Sequence, residues 1–534
     1  MKVLLVNPGY PETFWSFGRV LQMLDKKAFM PPLGLLTVAA LLPRDWDIRL
    51  VDLTVRNIAE EDWSQCDVVM VTGMATQFSG LFQTIREGKK RGKIVVVGGP
   101  LTFHFPQDVL TEGADIVVKG EAEVAVPHLL DALAHGESGI VIEQNSRADL
   151  QESPPPRYDL VDAGSYLNMS VQFSRGCPFQ CEFCDVTLML GRKVRTKSPE
   201  QILGELENVY DLGWRRGVFF VDDNFVGNVS RAKDLLKQMV PWMEERGHPF
   251  DFFTQASVNL AGDSELLELM VRAGFNKVFL GIETTDRDTL IRVKKHQNAM
   301  VDLDRVCGSI NRAGLQIIAG CIVGFDKEPP GADQRLIDFA IRNQIPEMFV
   351  TLLQAGPRTD LWTRLEREGR LLFENYDDNF GNQTGFINFV PTRPTSEIVQ
   401  EFIRLYEVLY DREFYLERAF EHTLSMSPAP YKKPFSFPQW SELRAVEIAL
   451  LRHGVIYPSR WKFWKLLLSA LIRFPDRIHH FLSYCVMAEH YCEYPAAIRK
   501  RFQAGLGEEE RTGGSKTYGE GITSRQRLQK GAEA

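Results

Sequence analysis

The segment Ser174-Arg175-Gly176-Cys177-Pro178-Phe179-Gln180-Cys181-Glu182-Phe183-Cys184 places three cysteines at Cys-x3-Cys-x2-Cys spacing, in a chain of 534 residues that holds only eight. Three thiolates this close together can bind three irons of a 4Fe-4S cluster and leave the fourth iron without a protein ligand. An iron with an open position is where chemistry can happen. Other uses of the trio fit less well. Structural zinc takes four ligands, often as two pairs well apart, and the nearest histidines, His135 and His248, are far off in sequence. A disulfide framework belongs to small secreted domains, which a chain of this length is not. The other cysteines, Cys66, Cys307, Cys321, Cys485 and Cys492, are scattered among mostly apolar neighbours and read as buried thiols.

Length, at ~150 residues per domain, predicts about three or four domains. A hydrophobic content of 44% with 25% charged residues is that of an ordinary globular chain, and a net charge of −8 argues against a nucleic-acid partner. The chain starts directly with a strand pattern, Met1-Lys2-Val3-Leu4-Leu5-Val6, without a cleavable signal. The strongest apolar run, Trp464-Lys465-Leu466-Leu467-Leu468-Ser469-Ala470-Leu471-Ile472, is too short to span a bilayer. A cytoplasmic protein is expected, since an exposed cluster stays reduced there.

Residues 1–145 alternate apolar runs at 3–6, 48–52, 68–72, 94–97 and 116–118 with helical patterns near 78–91 and 122–134, plus an apolar stretch at 32–42. Continuous apolar strands separated by helices predict a parallel sheet covered on both faces, a doubly wound Rossmann-like α/β domain with its ligand beyond the strand carboxyl ends. At those ends stand Asn7-Pro8-Gly9, Thr72-Gly73-Met74, Gly98-Gly99-Pro100 and Gly120-Glu121. Neither Gly-x-Gly-x-x-Gly nor a Walker loop is present, which argues against a dinucleotide. A domain serving only as scaffold or partner-binding module is the other reading.

The proline-rich Ser153-Pro154-Pro155-Pro156-Arg157-Tyr158 marks a stiff linker within 146–169. Between 170 and 375, strands are predicted at 171–173, 218–221, 252–256, 277–280, 317–321 and 348–353, with a helix over 199–212 that Ser198 caps and Pro199 opens. Six βα units make a partial (β/α)6 barrel with its site at the strand carboxyl ends. A mainly helical region follows over 376–505. Phe380 to Phe389 reads as a loop or hairpin over the barrel mouth, and Phe402, Tyr406, Tyr410, Phe414 and Tyr415 as a core stripe. Around Trp461, Phe463 and Trp464 the apolar residues alternate with Arg460, Lys462 and Lys465, which suits a buried helix of a small bundle, or a membrane-surface helix. Residues 506–534 are expected to be a disordered tail.

The cysteine segment resembles the cluster motif of the radical S-adenosylmethionine (SAM) enzymes, and the whole order of domains resembles the cobalamin-dependent radical SAM methyltransferases. Met30-Pro31-Pro32-Leu33-Gly34-Leu35 and Val221-Asp222-Asp223-Asn224-Phe225 look like the subgroup that methylates hopanoids and bacteriochlorophyll side chains. The resemblance implies three cofactors: the cluster on Cys177, Cys181 and Cys184, SAM on its open iron, and cobalamin near Thr72, Gly73, Met74, Gly98 and Gly99. The loop Thr72-Gly73-Met74-Ala75-Thr76-Gln77 lacks the Asp-x-His-x-x-Gly motif, so cobalt would have no histidine beneath it.

For SAM the resemblance implies contacts at Asp223, Ser257 and Glu283, and adenine packing along Gly320, Ile322 and Gly324. Two alternatives stay open at the residue level: Asp223 as the Asx cap of the next helix, and Glu283 as an acidic residue in a helix first turn. Asp222-Asp223-Asn224-Phe225 stands where relatives more often carry Gly-Gly-Glu, and Arg358 where they carry glycine. The run Arg292, Lys294, Lys295 and Gln297-Asn298 reads as a solvated face.

The implied activity is methylation of an unactivated carbon of a small apolar substrate, a polycyclic isoprenoid such as a hopanoid or a tetrapyrrole. Electrons would come from a flavodoxin- or ferredoxin-type donor, and peripheral membrane contact is a further expectation. A radical SAM tetrapyrrole cyclase and a non-catalytic cobalamin-binding regulator with a structural cluster are the competing readings.

Overall fold

The computed structural model describes residues 1–512 apart from 145, 373–380, 382–383, 429 and 432–437. Two six-stranded parallel sheets organise the described residues. The first contains β1 (Lys2–Asn7), β2 (Asp47–Asp52), β3 (Val68–Thr72), β4 (Ile94–Gly98), β5 (Ile116–Lys119) and β6 (Ile140–Glu143) in the order β2-β1-β3-β4-β5-β6.

Its central strands are apolar on both faces because both faces are covered. Leu4, Val6, Val69 and Val71 pack with Leu81 and Ile85 of α2 (Phe78–Lys90). Their chain neighbours Val3, Leu5, Val68 and Met70 pack with Leu35 of α1 (Leu33–Leu41) and Leu129 of α3 (Ala122–His135). Each such fully buried Val or Leu contributes about 1.5–3 kcal/mol. The strand order reverses between β1 and β3, and that switch point is where an open α/β sheet takes its ligand. Strand β6, a short edge strand, was not among the sequence expectations.

The second sheet contains β7 (Met169–Val171), β8 (Gly217–Phe220), β9 (Asp251–Ala256), β10 (Phe275–Glu283), β11 (Gln316–Val323) and β12 (Glu347–Leu352), in simple spatial sequence and all parallel. Six helices follow its strands: α4 (Pro199–Asp211), α5 (Val229–Glu245), α6 (Ser264–Arg272), α7 (Leu303–Ala313), α8 (Ala332–Arg342) and α9 (Asp360–Arg367). This is an open partial barrel. The start of α4 is a capping box: the Ser198 hydroxyl accepts from the Gln201 backbone N–H at 3.2 Å and the Gln201 side-chain oxygen Oε1 accepts from the Ser198 N–H at 2.8 Å.

Alternate residues of this sheet divide by environment. Val218, Phe220, Phe252, Val278, Leu280 and Val350 are buried against the outer helices, whereas Phe219, Phe253, Phe279 and Phe349 on the other face are only half-buried. Phe219 and Phe253 stack at 4.6 Å. Part of the chain before α1 lies on this inner face. Trp15 meets Phe349 at 5.2 Å and Phe279 at 5.9 Å, and Phe29 meets Phe253 at 6.2 Å. Phe14, Phe17, Val20 and Leu21 thus belong to the barrel core although they precede most of the first sheet.

The C-terminal region is helical: α10 (Thr395–Leu409), α11 (Arg412–Ser425), α12 (Trp440–Leu451), α13 (Arg460–Arg473), α14 (Ile478–Tyr491) and α15 (Tyr494–Thr512). The aromatic stripe is split between α10 and α11, with Phe402, Tyr406, Tyr410 and Tyr415 buried and Phe414 half-buried. Tyr406 and Tyr410 tie α10 to β12 by donating to the carbonyls of Val350 and Met348 at 2.7 and 2.6 Å. An isolated antiparallel bridge pairs Leu371 with Phe389. Asn388 then holds Ala355 just past β12 through bonds of 2.8 and 2.9 Å, so the described part of this loop does lie at the strand carboxyl end. Positions 380, 382 and 383, at the start of the expected hairpin, are outside the described residues. The expected tail begins too early at 506, because α15 continues to Thr512; positions beyond it are outside the described residues. Among the described residues no helix is long and apolar enough to cross a membrane.

Candidate active site

The cysteine loop leaves β7 through Ser174, Arg175 and Gly176. Gly176 has φ +98°, and a Cβ there would come within 2.8 Å of the Gly191 carbonyl, so only glycine fits the turn. Asp222, fully buried after β8, fixes the start of the loop by accepting from the Phe173 N–H at 3.0 Å, the Ser174 N–H, and the Ser174 hydroxyl at 2.5 Å. On its far side the loop is clamped by Glu182. Its carboxylate accepts from Arg364 at 2.6 Å, and its backbone bonds Val293 and Leu361 at 2.9 Å each. Arg364 and Arg370 also both reach Asp326, holding that carboxyl below the usual range even though burial pushes it up.

Burial raises the thiols of Cys177, Cys181 and Cys184. Two amides point at the sulfurs: Asn224 Nδ2 lies 3.8 Å from Cys177 Sγ and Gln297 Nε2 lies 3.7 Å from Cys181 Sγ. Such donors stabilise thiolates that carry a cluster. Among the described residues no His, Cys, Asp or Glu group converges as it would on a single metal ion. A cubane takes one thiolate per iron, and the trio offers three.

Around the loop stand the strand ends of the barrel. Asn224 links two of the expected positions, since its side-chain oxygen accepts from the Ser257 N–H and hydroxyl at 3.1 Å each while its amide reaches Cys177. Asp223 is raised to about 7 by burial, then by the charges of Asp222 and Asp185. It does not cap α5; Asn228 does that, accepting from the Arg231 N–H at 3.2 Å. Glu283 is buried at φ +65° and bonds Lys295. The helix after it is capped by Asp286, so Glu283 is not a first-turn acid.

Gly320 lies beside Phe279, whose ring stands 2.6 Å from where a Cβ would be, and half-buried Ile322 follows on the same strand. Gly324 turns out of β11 at φ +95°. Arg358 adopts φ +70°, the region glycine favours, and its guanidinium lies over Phe103 of the first domain at 5.3 Å.

The run from Arg292 to Asn298 is not the solvated face that the sequence suggested. Arg292 and Lys294 are exposed, but Lys295 and Asn298 are buried, and Asn298 donates to the carbonyls of Gly281 and Ile282 at 2.9 and 3.1 Å. Burial alone would lower Lys295, yet Glu283 and the Cys181 and Cys184 thiols keep its ammonium charged. Polarity on the page of a sequence cannot distinguish a surface run from one folded onto a charged centre.

The first domain presents its switch point to this loop. Gln77, in the loop that carries no histidine, accepts from the Met74 N–H at 2.9 Å and donates to the Pro8 carbonyl and to Asn7, which donates to Asp52 at 3.0 Å. That lattice leaves Met74 half exposed at the mouth. Gly99 has φ +91°, and a Cβ on it would collide with the Thr72 hydroxyl; one on Gly73 would meet Leu81 at 2.7 Å. Both glycines are thus required by close packing within the domain at the strand carboxyl ends.

The two rims face each other. His104 after β4 bonds Asp185 beside Cys184 at 3.0 Å, and Glu121 and Glu123 after β5 pair with Arg195 and Arg175 at 2.7 and 2.8 Å.

Three family models match consecutive parts of the chain: a B12 binding domain over residues 24–130, the radical SAM superfamily over 171–340, and a domain of unknown function, DUF4070, over 359–504. An uncharacterized methyltransferase of Synechocystis sp. is 43% identical across 94% of this chain and 93% of its own length. The hopanoid C-2 methylase of Rhodopseudomonas palustris is 34% identical across 92% and 93%. The radical SAM methyltransferase TsrM of Kitasatospora setae, solved with cobalamin and a 4Fe-4S cluster, aligns with TM-score 0.56 at 15% identity over 92% of this chain and 99% of its own. OxsB, solved with aqua-cobalamin and SAM, aligns with TM-score 0.58 at 15% identity over 95% and 81%. With a thiolate trio under amide donors, a glycine rim at a switch point, and the two edges pinned together, the chain belongs to the cobalamin-dependent radical SAM methyltransferases, whose cofactors are a 4Fe-4S cluster, SAM and cobalamin.

Proposed function

We propose that this enzyme methylates an unactivated carbon of an apolar polycyclic substrate, a hopanoid-like isoprenoid, in the space between the inner barrel face and the glycine rim. One observation carries the reading: Phe219, Phe253, Phe279 and Phe349 stay partly exposed on the inner face of the sheet even with Trp15 and Phe29 packed there, where a filled barrel would bury them. An aromatic wall binds a fused ring system by area and shape and asks for few polar contacts. The relative named a hopanoid C-2 methylase supports this substrate class. Such a substrate resides in a membrane, so peripheral bilayer contact belongs to the same reading, as does a flavodoxin- or ferredoxin-type donor to the cluster.

When bound, the cofactors supply the electron, the hydrogen-abstracting radical and the methyl group. The residues of the chain position them. Cys177, Cys181 and Cys184 hold the cluster, with Asn224 and Gln297 donating to two of the sulfurs. Asp223, Ser257 and Glu283 take the amino, carboxylate and ribose groups of SAM, and Gly320, Ile322 and Gly324 give its adenine a flat bed. Thr72, Gly73, Met74, Gly98 and Gly99 form the cobalamin rim. The His104–Asp185 and Arg175–Glu123 links keep the reacting centres within reach of one another and exclude water.

Lipid extracts from a deletion strain test the substrate: a species lighter by one methylene unit should accumulate. A product that instead lost hydrogens or gained oxygen would support the cyclase, and reconstituted protein that never cleaves SAM under reduction would support the regulator. A change confined to a small water-soluble metabolite would overturn the apolar-substrate reading.

Asp223 gives the site a pH signature. With its carboxyl pushed up to about 7, the folded apo-protein holds this proton more tightly than the unfolded chain does, so the stability it contributes is present at low pH and lost as pH rises toward about 7. The ionised carboxylate is the form that accepts from an amino group and faces a sulfonium. SAM affinity is therefore expected to climb by up to about tenfold per pH unit below roughly 7 and to level off above it. In Asp223→Asn the rise should vanish. Equilibrium dialysis of SAM across this range checks both, and an identical pH profile in the variant would remove Asp223 from the site.

A further inference from the structure

Helix α13 (Arg460–Arg473) carries apolar side chains on two arcs, of which only one is buried. Phe463, Leu466, Leu467 and Ala470 face the bundle. On the opposite arc Trp461, Trp464, Leu468, Leu471 and Ile472 are in solvent, Trp461 at 76% and Ile472 at 81% exposure. A 100° step per residue places these five on one contiguous arc, with Lys465, Lys462 and Arg473 along one flank and Arg460 along the other. The helix carries these four cations and no carboxylate, within a chain of net charge −8. Among the described residues only Lys462 of the four is ion-paired, to Glu417.

The arc is extended by a neighbouring knuckle. A π-helical turn, Arg452–Ile456, leaves Val455 and Ile456 exposed, and Trp464 Nε1 donates to the Gly454 carbonyl at 2.9 Å, fixing that turn beside α13. Gly454 admits no side chain, because a Cβ would stand 2.8 Å from the Trp464 ring. Among the described residues, half of all exposed large apolar side chains fall between Trp440 and Ile472. Scattered surface leucines need no explanation, but a concentration of this kind marks a surface that is covered in use.

We propose that this face of α13, with the Val455–Ile456 knuckle, is a docking surface for an anionic lipid bilayer. The cations flanking the arc select the occupant. A second copy presenting this same carboxylate-free helix would set cation against cation, and an apolar protein groove would offer no counter-charge, whereas phosphate headgroups line up with both flanks while the tryptophans sit at headgroup depth. The helix then lies in the plane of the interface. The inference rests on the apolar-substrate reading only for its purpose, which is to bring the barrel to a lipid that does not leave the membrane.

Flotation of the anaerobically reconstituted full chain with vesicles tests it, using phosphatidylcholine alone and phosphatidylcholine with phosphatidylglycerol. The wild type should float with the anionic vesicles, less so as salt rises, and poorly with the neutral ones. Trp461→Glu with Ile472→Glu should weaken binding by at least about tenfold, and Arg460→Gln or Lys465→Gln by roughly fivefold each. All variants should keep wild-type cobalamin binding and reductive SAM cleavage, since none touches the site. A wild type that stays down with both vesicles, or variants that float like it, overturns the proposal. So does a dimer that the same variants dissociate without any vesicle binding, which would make the face an interface between copies. Because binding is read without turnover, a failure here leaves the methylase reading standing, and failure of the product assay leaves the docking surface standing.

Discussion

Cys181→Ala is expected to strip the protein of its cluster and reduce SAM cleavage to background while cobalamin binding stays at the wild-type level. Two thiolates cannot hold a cubane that needs three protein ligands and one open iron, and the first sheet has separate cores that share no residue with the cysteine loop. The companion variant Asn224→Leu keeps all three cysteines. It removes the amide beside Cys177 Sγ and the acceptor for Ser257, leaving that hydroxyl with Asn259. Loss of a group that orients a metal ligand costs roughly 10–100-fold, so this variant should retain iron and lose that much cleavage. Iron and sulfide content, electron paramagnetic resonance of the reduced protein, and anaerobic cleavage assays separate the two. Full iron and normal cleavage in Cys181→Ala would refute the cluster assignment. Normal cleavage in Asn224→Leu would reduce Asn224 to a packing residue.

The strands were legible because burial on two faces writes itself as an uninterrupted apolar run: 68–72 was expected as a strand and is β3, 252–256 lies within β9. Ser198 and Pro199 were legible because helix starts have local chemistry. What failed was anything decided at a distance. Phe14, Trp15 and Phe17 have no periodicity to flag them, since Phe14 and Phe17 pack on Tyr491 of α14 while Trp15 packs on Phe349 of the barrel. Asn224 looked like part of a turn because an amide has the same local preference whether or not a thiolate lies opposite. The polar run ending at Asn298 was assigned to solvent by composition, but its register puts Lys295 under Glu283 and Gln297 against Cys181. In α13 the apolar residues interleave with basic ones, a pattern that suits a buried bundle helix or a membrane-surface helix and does not show which arc has a partner within the chain. The cysteine spacing is a local pattern that a sequence displays; the second layer of residues around it was not readable until the chain was folded.

That second layer supplies the other large effect. Lys295 and Glu283 form a buried pair with side chains only 10% and 11% exposed. Removing one member of such a pair strands the other charge at a cost of about 3–5 kcal/mol. Lys295→Met should therefore lower the melting temperature of the apo-protein by several degrees and abolish SAM cleavage, with Lys295→Arg restoring part of both. The informative variant is the double one, Lys295→Met with Glu283→Leu. Replacing both partners by apolar groups removes the orphaned charge, so stability should return most of the way. Cleavage should not return, because the proposed ribose and amino subsite then lacks Glu283 and the ammonium that would balance a negative cluster beside Cys181 is gone. A double variant as unstable as Lys295→Met alone would mean the two side chains do not act as a pair. A stable double variant that cleaves SAM at the wild-type rate would show the pair to be architecture, and would move the SAM contacts to Asp223, Ser257 and Asn224.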